Sequence, residues 1–284
     1  MAKRIVTKKQ ESILTLLYSF RFINSKQVQA FLNHKDHRRS NAWLKDLVTK
    51  GYLERDFIPR FGTSTKPAVF FLAQTGRAYI RNMFHDTNRK YLGRLRDDKK
   101  RSKGFRIKCQ LIADCYLLLF PDDERAKFVK ELNERVRGGV ELKYNHLQFF
   151  TSAYYHELEF VLLPKLKPDA YVYKRISKGI VHTCIYTLDA YFPRMMLRYM
   201  LTNIFTTLEE EYWEDESIAS LQFYFVCPNH MIIVYLRRLL TSFFERYSGQ
   251  EIIFHFATRN QLYKRQQDKT KPTGWIDVSS NDYE

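Results

Sequence analysis

At 284 residues, with 45% hydrophobic and 15% aromatic side chains, the chain is too apolar to be mainly disordered. It is long enough for two domains, or for one domain and a small module. Its net charge of +16 sits unevenly, since residues 1–108 hold 26 Lys/Arg against 8 Asp/Glu while residues 109–284 hold 21 against 23, and a basic module on a neutral one points to a polyanion.

Thr7-Lys8-Lys9-Gln10 has the form of a capping box, and Ile13, Leu14, Leu16, Leu17 and Phe20 follow as the buried side of a first helix. Ser25 is a second cap candidate, with Val28, Phe31 and Leu32 giving a short second helix. Asp36 caps a third, on which Ser40, Leu44, Leu47 and Val48 form one stripe and Gly51 supplies the left-handed stop. The opposite side of that helix carries Arg38, Arg39, Asn41 and Lys45, side chains suited to base edges and phosphates. Leu53–Phe57 and Ala68–Leu72 read as two strands, joined by a polar turn whose Arg60, Thr63, Ser64 and Lys66 offer cations and hydroxyls to a phosphate backbone or minor groove. Trp43 is expected to pack beside this hairpin and not on a base. Three helices and a basic hairpin are the layout of a winged helix. A fourth helix starts at Thr75-Gly76 and can pack under the hairpin.

From Asp86 to Gly104 eight Lys/Arg and three Asp predict a solvated helix or linker, with a run beside phosphates as the alternative. Ile107–Phe120 is an apolar helix stopped by Pro121. Strands are expected at 170–173, 180–186, 221–226 and 251–256. Helices are expected at 193–213, with Met196, Leu197, Met200, Leu201 and Ile204 inward, and after the cap residue Asn229 to Tyr247. Alternating strands and helices predict an α/β layer, followed from Asn260 by a loosely held polar tail.

Pro168-Asp169, with a following strand that ends Tyr186-Thr187-Leu188-Asp189, invites comparison with magnesium nucleases. Those enzymes set an Asp at the start of one strand and Glu-x-Lys on the next, to hold the metal and stabilise charge on the phosphate. Here Thr187 stands in place of the second carboxylate and Asp189 in place of the Lys, so strand-end carboxylates in a turn are the preferred reading. The acidic run 209–216 reads as a solvated helix end. Cys109, Cys115, Cys184 and Cys227 are scattered in apolar surroundings, which suits core thiols in a reducing compartment. No metal site, cofactor motif, signal peptide or membrane span is expected, which places the protein in the cytoplasm.

Leu44-x-x-Leu47-Val48-x-x-Gly51-Tyr52-Leu53-x-Arg55 and Leu72-x-x-Thr75-x-Arg77 resemble winged helices of the MarR-like type. Together with the Pro168-Asp169-Ala170 strand, the chain resembles the replication-relaxation family of bacterial mobile elements. That resemblance implies a winged helix joined to a domain like the restriction-endonuclease fold. The family's second strand tends to carry Glu-x-Asp, where this chain has Thr187-x-Asp189. The expected fold class is therefore α+β or α/β, with a winged helix at 1–85, a basic linker or helix at 86–104, an inactive nuclease-like α/β domain at 105–258 and a polar tail at 259–284. The expected function is sequence-specific binding of double-stranded DNA, controlling transcription, replication or transfer of a mobile element, by a homodimer working with proteins of those processes. The alternatives are a metal-dependent nuclease or nickase using Asp169 and Asp189, and a protein-binding scaffold.

Overall fold

The computed structural model describes residues 6–56, 67–83, 89–120, 122–136, 147–155, 162–190, 192–210, 218–247, 252–262 and 275–279. The chain divides into two compact units, Met1–Lys143 and Tyr144–Glu284.

In the first unit the elements run α1 (Lys8–Phe20), β1 (Ile23–Asn24), α2 (Ser25–Phe31), α3 (His37–Thr49), β2 (Leu53–Asp56), β3 (Val69–Leu72), α4 (Gln74–Met83), α5 (Arg89–Leu95), a 3-10 turn (Asp98–Lys100), α6 (Lys103–Leu119) and α7 (Asp122–Val136). The capping box forms as read: the Gln10 N–H donates to Thr7 Oγ1 at 3.4 Å and the Thr7 N–H to Gln10 Oε1 at 3.0 Å. Burial of α1 goes beyond one face, for every residue from Gln10 to Phe20 is buried. The reason is that α3, α4, α6, α7 and β3 all pack on it. Its polar members are accommodated because Thr15 and Ser19 donate to the carbonyls of Glu11 and Thr15 at 3.1 and 3.0 Å.

The cap of α2 is Asn24 and not Ser25. Asn24 Oδ1 accepts from the N–H groups of Lys26 and Gln27, each at 3.0 Å. Ile23 and Asn24 also pair antiparallel with Phe70 and Val69, adding a strand that sequence periodicity did not announce and giving the sheet order β1-β3-β2. For α3 the expectation holds: Asp36 accepts from the Arg38 N–H at 2.8 Å, Ser40, Leu44 and Leu47 are buried, and Gly51 turns out at φ 76°.

Two differences extend this unit. The stretch read as a solvated linker is packed within residues 89–103, where Tyr91, Leu95 and Asp98 are buried. The Tyr91 hydroxyl donates to the Tyr18 carbonyl at 3.1 Å, and Asp98 is ion-paired with Arg21. The apolar helix α6, assigned from sequence to the second domain, instead serves the first. Its Tyr116 stacks on Phe31 of α2 and on Phe128 of α7, with centroids 5.2 and 4.1 Å apart. The boundary falls at Lys143, not at 104, because the apolar face of α6 is covered by the helices before and after it.

The second unit holds β4 (Leu147–Thr151), α8 (Leu163–Leu166), β5 (Ala170–Ile176), β6 (Gly179–Thr187), α9 (Arg194–Glu210), β7 (Ile218–Cys227), α10 (His230–Phe244), β8 (Ile252–Thr258) and β9 (Ile276–Ser279). They build a six-stranded mixed sheet in the order β4-β5-β6-β7-β8-β9. Neighbours β4, β5 and β6 are antiparallel, β6, β7 and β8 are parallel, and β9 is antiparallel. Phe205 of α9 and Phe244 of α10 lie on Phe254 of β8, 5.9 and 5.8 Å away, so this face carries the helices. Within α9, Leu197, Leu201 and Ile204 are buried as expected, but Met196 is exposed because it lies a step off that stripe. The polar tail contributes β9, where Val278 is buried and Asp277 bonds His255 at 2.7 Å, so this segment is held by the sheet edge. Among the described residues no helix is long and apolar enough to cross a membrane.

Candidate nucleic-acid interface

Helix α3 presents two faces of opposite character. Ser40, Leu44 and Leu47 seat it against α1, α2 and β2, and this fixes its rotation about its own axis. Arg38, Arg39, Asn41 and Lys45 are consequently exposed on the far side. The acid of the helix, Asp46, accepts from Gln10 and pairs with Lys50 at 2.6 Å, so its charge is engaged locally. The Lys50 bond, followed by that of Gln10, holds its carboxyl below the ordinary range. Trp43 packs edge-on against His34 in the turn before α3, with centroids 5.0 Å apart. Lys26 at the start of α2 and Lys35 in the α2–α3 turn are exposed as well. Sequence reasoning passed over both, since single lysines outside a periodic face carry no signal. The predicted hairpin-tip residues Arg60, Thr63, Ser64 and Lys66 lie outside the described residues.

The charge follows the division into units. Residues 1–143 hold 32 Lys/Arg against 15 Asp/Glu, and residues 144–284 hold 15 against 16. A long-range positive field therefore belongs to the unit that carries α3.

In the second unit Asp169 ends the turn before β5, with its N–H donating to the Ile185 carbonyl at 2.8 Å. One carboxylate oxygen, Oδ2, accepts from both the N–H and the hydroxyl of Thr187, at 2.8 and 3.0 Å. The residue that replaces the expected second carboxylate thus donates to the first. Asp189 follows two residues beyond the end of β6 and is half-buried. Among the described residues no group of three or more His, Cys, Asp or Glu is arranged to hold a metal ion.

The replication-relaxation family matches residues 14–181. The chain belongs to that family. No curated protein and no solved structure matched it. In this replication-relaxation protein the matched stretch takes in the whole exposed face of α3 and also Asp169, but ends before Thr187 and Asp189. The four cysteines are free thiols and buried, in line with the reading as core residues. Burial pushes the Cys227 thiol up to about 12 and that of Cys184 higher still, so neither is a nucleophile or a ready ligand.

Proposed function

We propose that this replication-relaxation protein is a sequence-specific reader of double-stranded DNA that controls replication, transcription or transfer of a bacterial mobile element, acting by binding and not by catalysis. The observation that carries the reading is the exposed Arg38, Arg39, Asn41 and Lys45 face on α3, opposite a buried stripe, in the unit that holds all the excess positive charge. Arg pairs with guanine and Asn with adenine in the major groove, while Lys45 suits a phosphate. In this reading α1, α2 and α3 with the β2–β3 hairpin are a winged helix, and the hairpin tip lies on the flanking backbone.

The second unit is read as a nuclease-like domain without its chemistry. Three antiparallel strands followed by helix-linked parallel ones, with Pro168-Asp169 leading into β5 and Asp189 beyond β6, fit such a scaffold. The engagement of Asp169 by Thr187 supports a structural role for that carboxylate. The protein works in the cytoplasm as a homodimer. Helix α9 begins with exposed Arg194, Met195, Arg198 and Tyr199 and ends near exposed Glu209, so two antiparallel copies would set opposite charges together.

The test is selection of fragments bound by the full chain from host DNA, followed by titration of the enriched site against a random duplex. A specific site should be bound about a thousandfold or more tightly than random sequence at moderate salt. Failure to bind any duplex even in dilute buffer rejects the reading.

A further inference from the structure

A second concentration of cations lies between α5 and the start of α6. Residues 89–103 carry eight Lys/Arg against Asp97 and Asp98. Asp98 is buried and taken up by Arg21, while Asp97 is exposed. The side chains of Lys90, Arg94, Arg96, Lys99, Lys100 and Lys103 are exposed.

A run of cations is ordinarily a solvated face. Here it is held in place against one particular strand. Lys99 pairs with Glu54 at 3.2 Å, and Arg106 pairs with Asp56 while donating to the Lys99 carbonyl at 2.9 Å. Both acids belong to β2, the edge strand of the β1-β3-β2 sheet, which leads directly into residues 57–66. Arg101 and Arg21 lie over the Phe105 ring at 5.2 and 4.6 Å, and Arg106 lies over Phe22 at 5.6 Å. The cations that face the body are thus spent on β2, on Asp98 and on aromatic rings. Arg96, Lys100 and Lys103 remain on the outside of a fixed support.

We propose that this edge, with Arg96, Lys100 and Lys103 as its contacts, is a second phosphate-binding surface that grips the duplex backbone beyond the segment read by α3. The inference rests on the DNA-binding reading and deepens it. Ion pairs to β2 tie this surface to the strand that leads into residues 57–66. Phosphates at this surface add affinity without sequence information. Duplex DNA is favoured over an acidic protein because the cations continue from the strand that enters the predicted DNA-contacting hairpin.

The experiment compares the full chain with R96A/K100A/K103A and, separately, with R39A, on a duplex of about one helical turn around the selected site and one of about three turns. The triple variant touches no ion pair seen among the described residues, and its urea midpoint is checked against the parent. On the long duplex its plot of log affinity against log salt should be shallower by up to about 2.7, at roughly 0.9 per lost phosphate contact. On the short duplex it should match the parent. If the triple variant has the parent's slope on both lengths while R39A weakens both, the second surface is overturned and the DNA reading stands. If neither variant changes binding to either duplex, the second surface and base reading by Arg39 are both overturned, whereas a parent that binds neither duplex even in dilute buffer fails the DNA reading itself. If the triple variant keeps its DNA slope but loses capture of an acidic partner protein, the surface belongs to that protein and the proposal is wrong.

Discussion

Thr187 donates its backbone N–H and its hydroxyl to the same carboxylate oxygen of Asp169, at 2.8 and 3.0 Å. The pair joins the turn that opens β5 to the last residue of β6, where the Asp169 N–H and the Ile185 carbonyl already meet. Both bonds fall on Oδ2. They tie the end of β6 to the start of β5. Hydrogen bonds to a charged group are worth about 1.5–3 kcal/mol, so Asp169→Ala should lower stability by roughly that amount in urea unfolding. Thr187→Val should cost about 1 kcal/mol, because the backbone bond survives. Neither substitution should alter affinity for duplex DNA. Supercoiled plasmid incubated with magnesium should stay uncut by the parent, and nicking that disappears in Asp169→Ala would overturn the non-catalytic reading.

Features with local causes were legible in the sequence. The Thr7/Gln10 box, the Asp36 cap, the stripe Ser40-Leu44-Leu47 and the Gly51 stop each depend on residues within a few positions, and from them the exposed α3 face follows. Less local features escaped. Strand β1 has only two residues and no period to detect, and exists because Phe70 and Val69 offer it partners. The burial of Asp98 depends on Arg21, 77 positions away. Asn24 outcompeted Ser25 as a cap because Gln27 closes a reciprocal bond to it. The tail strand β9 carries alternating Ile276 and Val278, too short a pattern to stand out among polar residues.

Side chains on α3 should divide by what they touch. Arg39→Ala and Asn41→Ala should each cost about 1–3 kcal/mol on the selected site and relax preference at one base position. Lys45→Ala should weaken specific and random duplexes alike and reduce the salt slope by about 1. Competition binding against a set of single-base variants of the site separates the two behaviours. Equal losses for Arg39→Ala on specific and random DNA would remove base reading from this helix.

The Arg21–Asp98 pair should prove a structural hinge-pin of the first unit. Burial works against the charge on Arg21, but the bond and field of Asp98 outweigh it and raise the guanidinium pKa. Removing one partner strands a buried charge, so Asp98→Ala should cost about 3–5 kcal/mol. The double variant Arg21→Ala/Asp98→Ala should cost clearly less than the sum of the singles. Additive losses in urea unfolding would mean that the two side chains act independently.

Gly76 marks a close approach of a helix to a strand end. A Cβ built on it would stand 2.2 Å from the Tyr52 carbonyl oxygen and 3.2 Å from Leu72 Cδ2. That carbonyl is already fixed by the Ala73 N–H at 2.9 Å. Backbone cannot yield cheaply, so Gly76→Ala should fall at the upper end of the about 1–3 kcal/mol usual for overpacking. Gly93, where an added Cβ meets nothing within 4 Å, is the control. Its substitution by Ala in α5 should be neutral or gain up to about 1 kcal/mol.

Alkaline pH should destabilise the second unit for a reason written in its thiols. Burial raises Cys227 from the ordinary 9.0 to about 12, and Cys184 is raised by the same cause. Between those values the unfolded chain has lost a proton that the folded chain keeps. The unfolded state binds fewer protons, so stability falls as pH rises. Each such thiol contributes a slope of about 1.4 kcal/mol per pH unit above its unfolded value. Near neutrality both stay protonated and should resist alkylation until the chain unfolds. Urea unfolding from about pH 8 to about pH 10.5 should show the decline, and Cys227→Ala should flatten it by about one proton's share. An unchanged slope in that variant would mean that the Cys227 thiol titrates at its ordinary value in the folded protein.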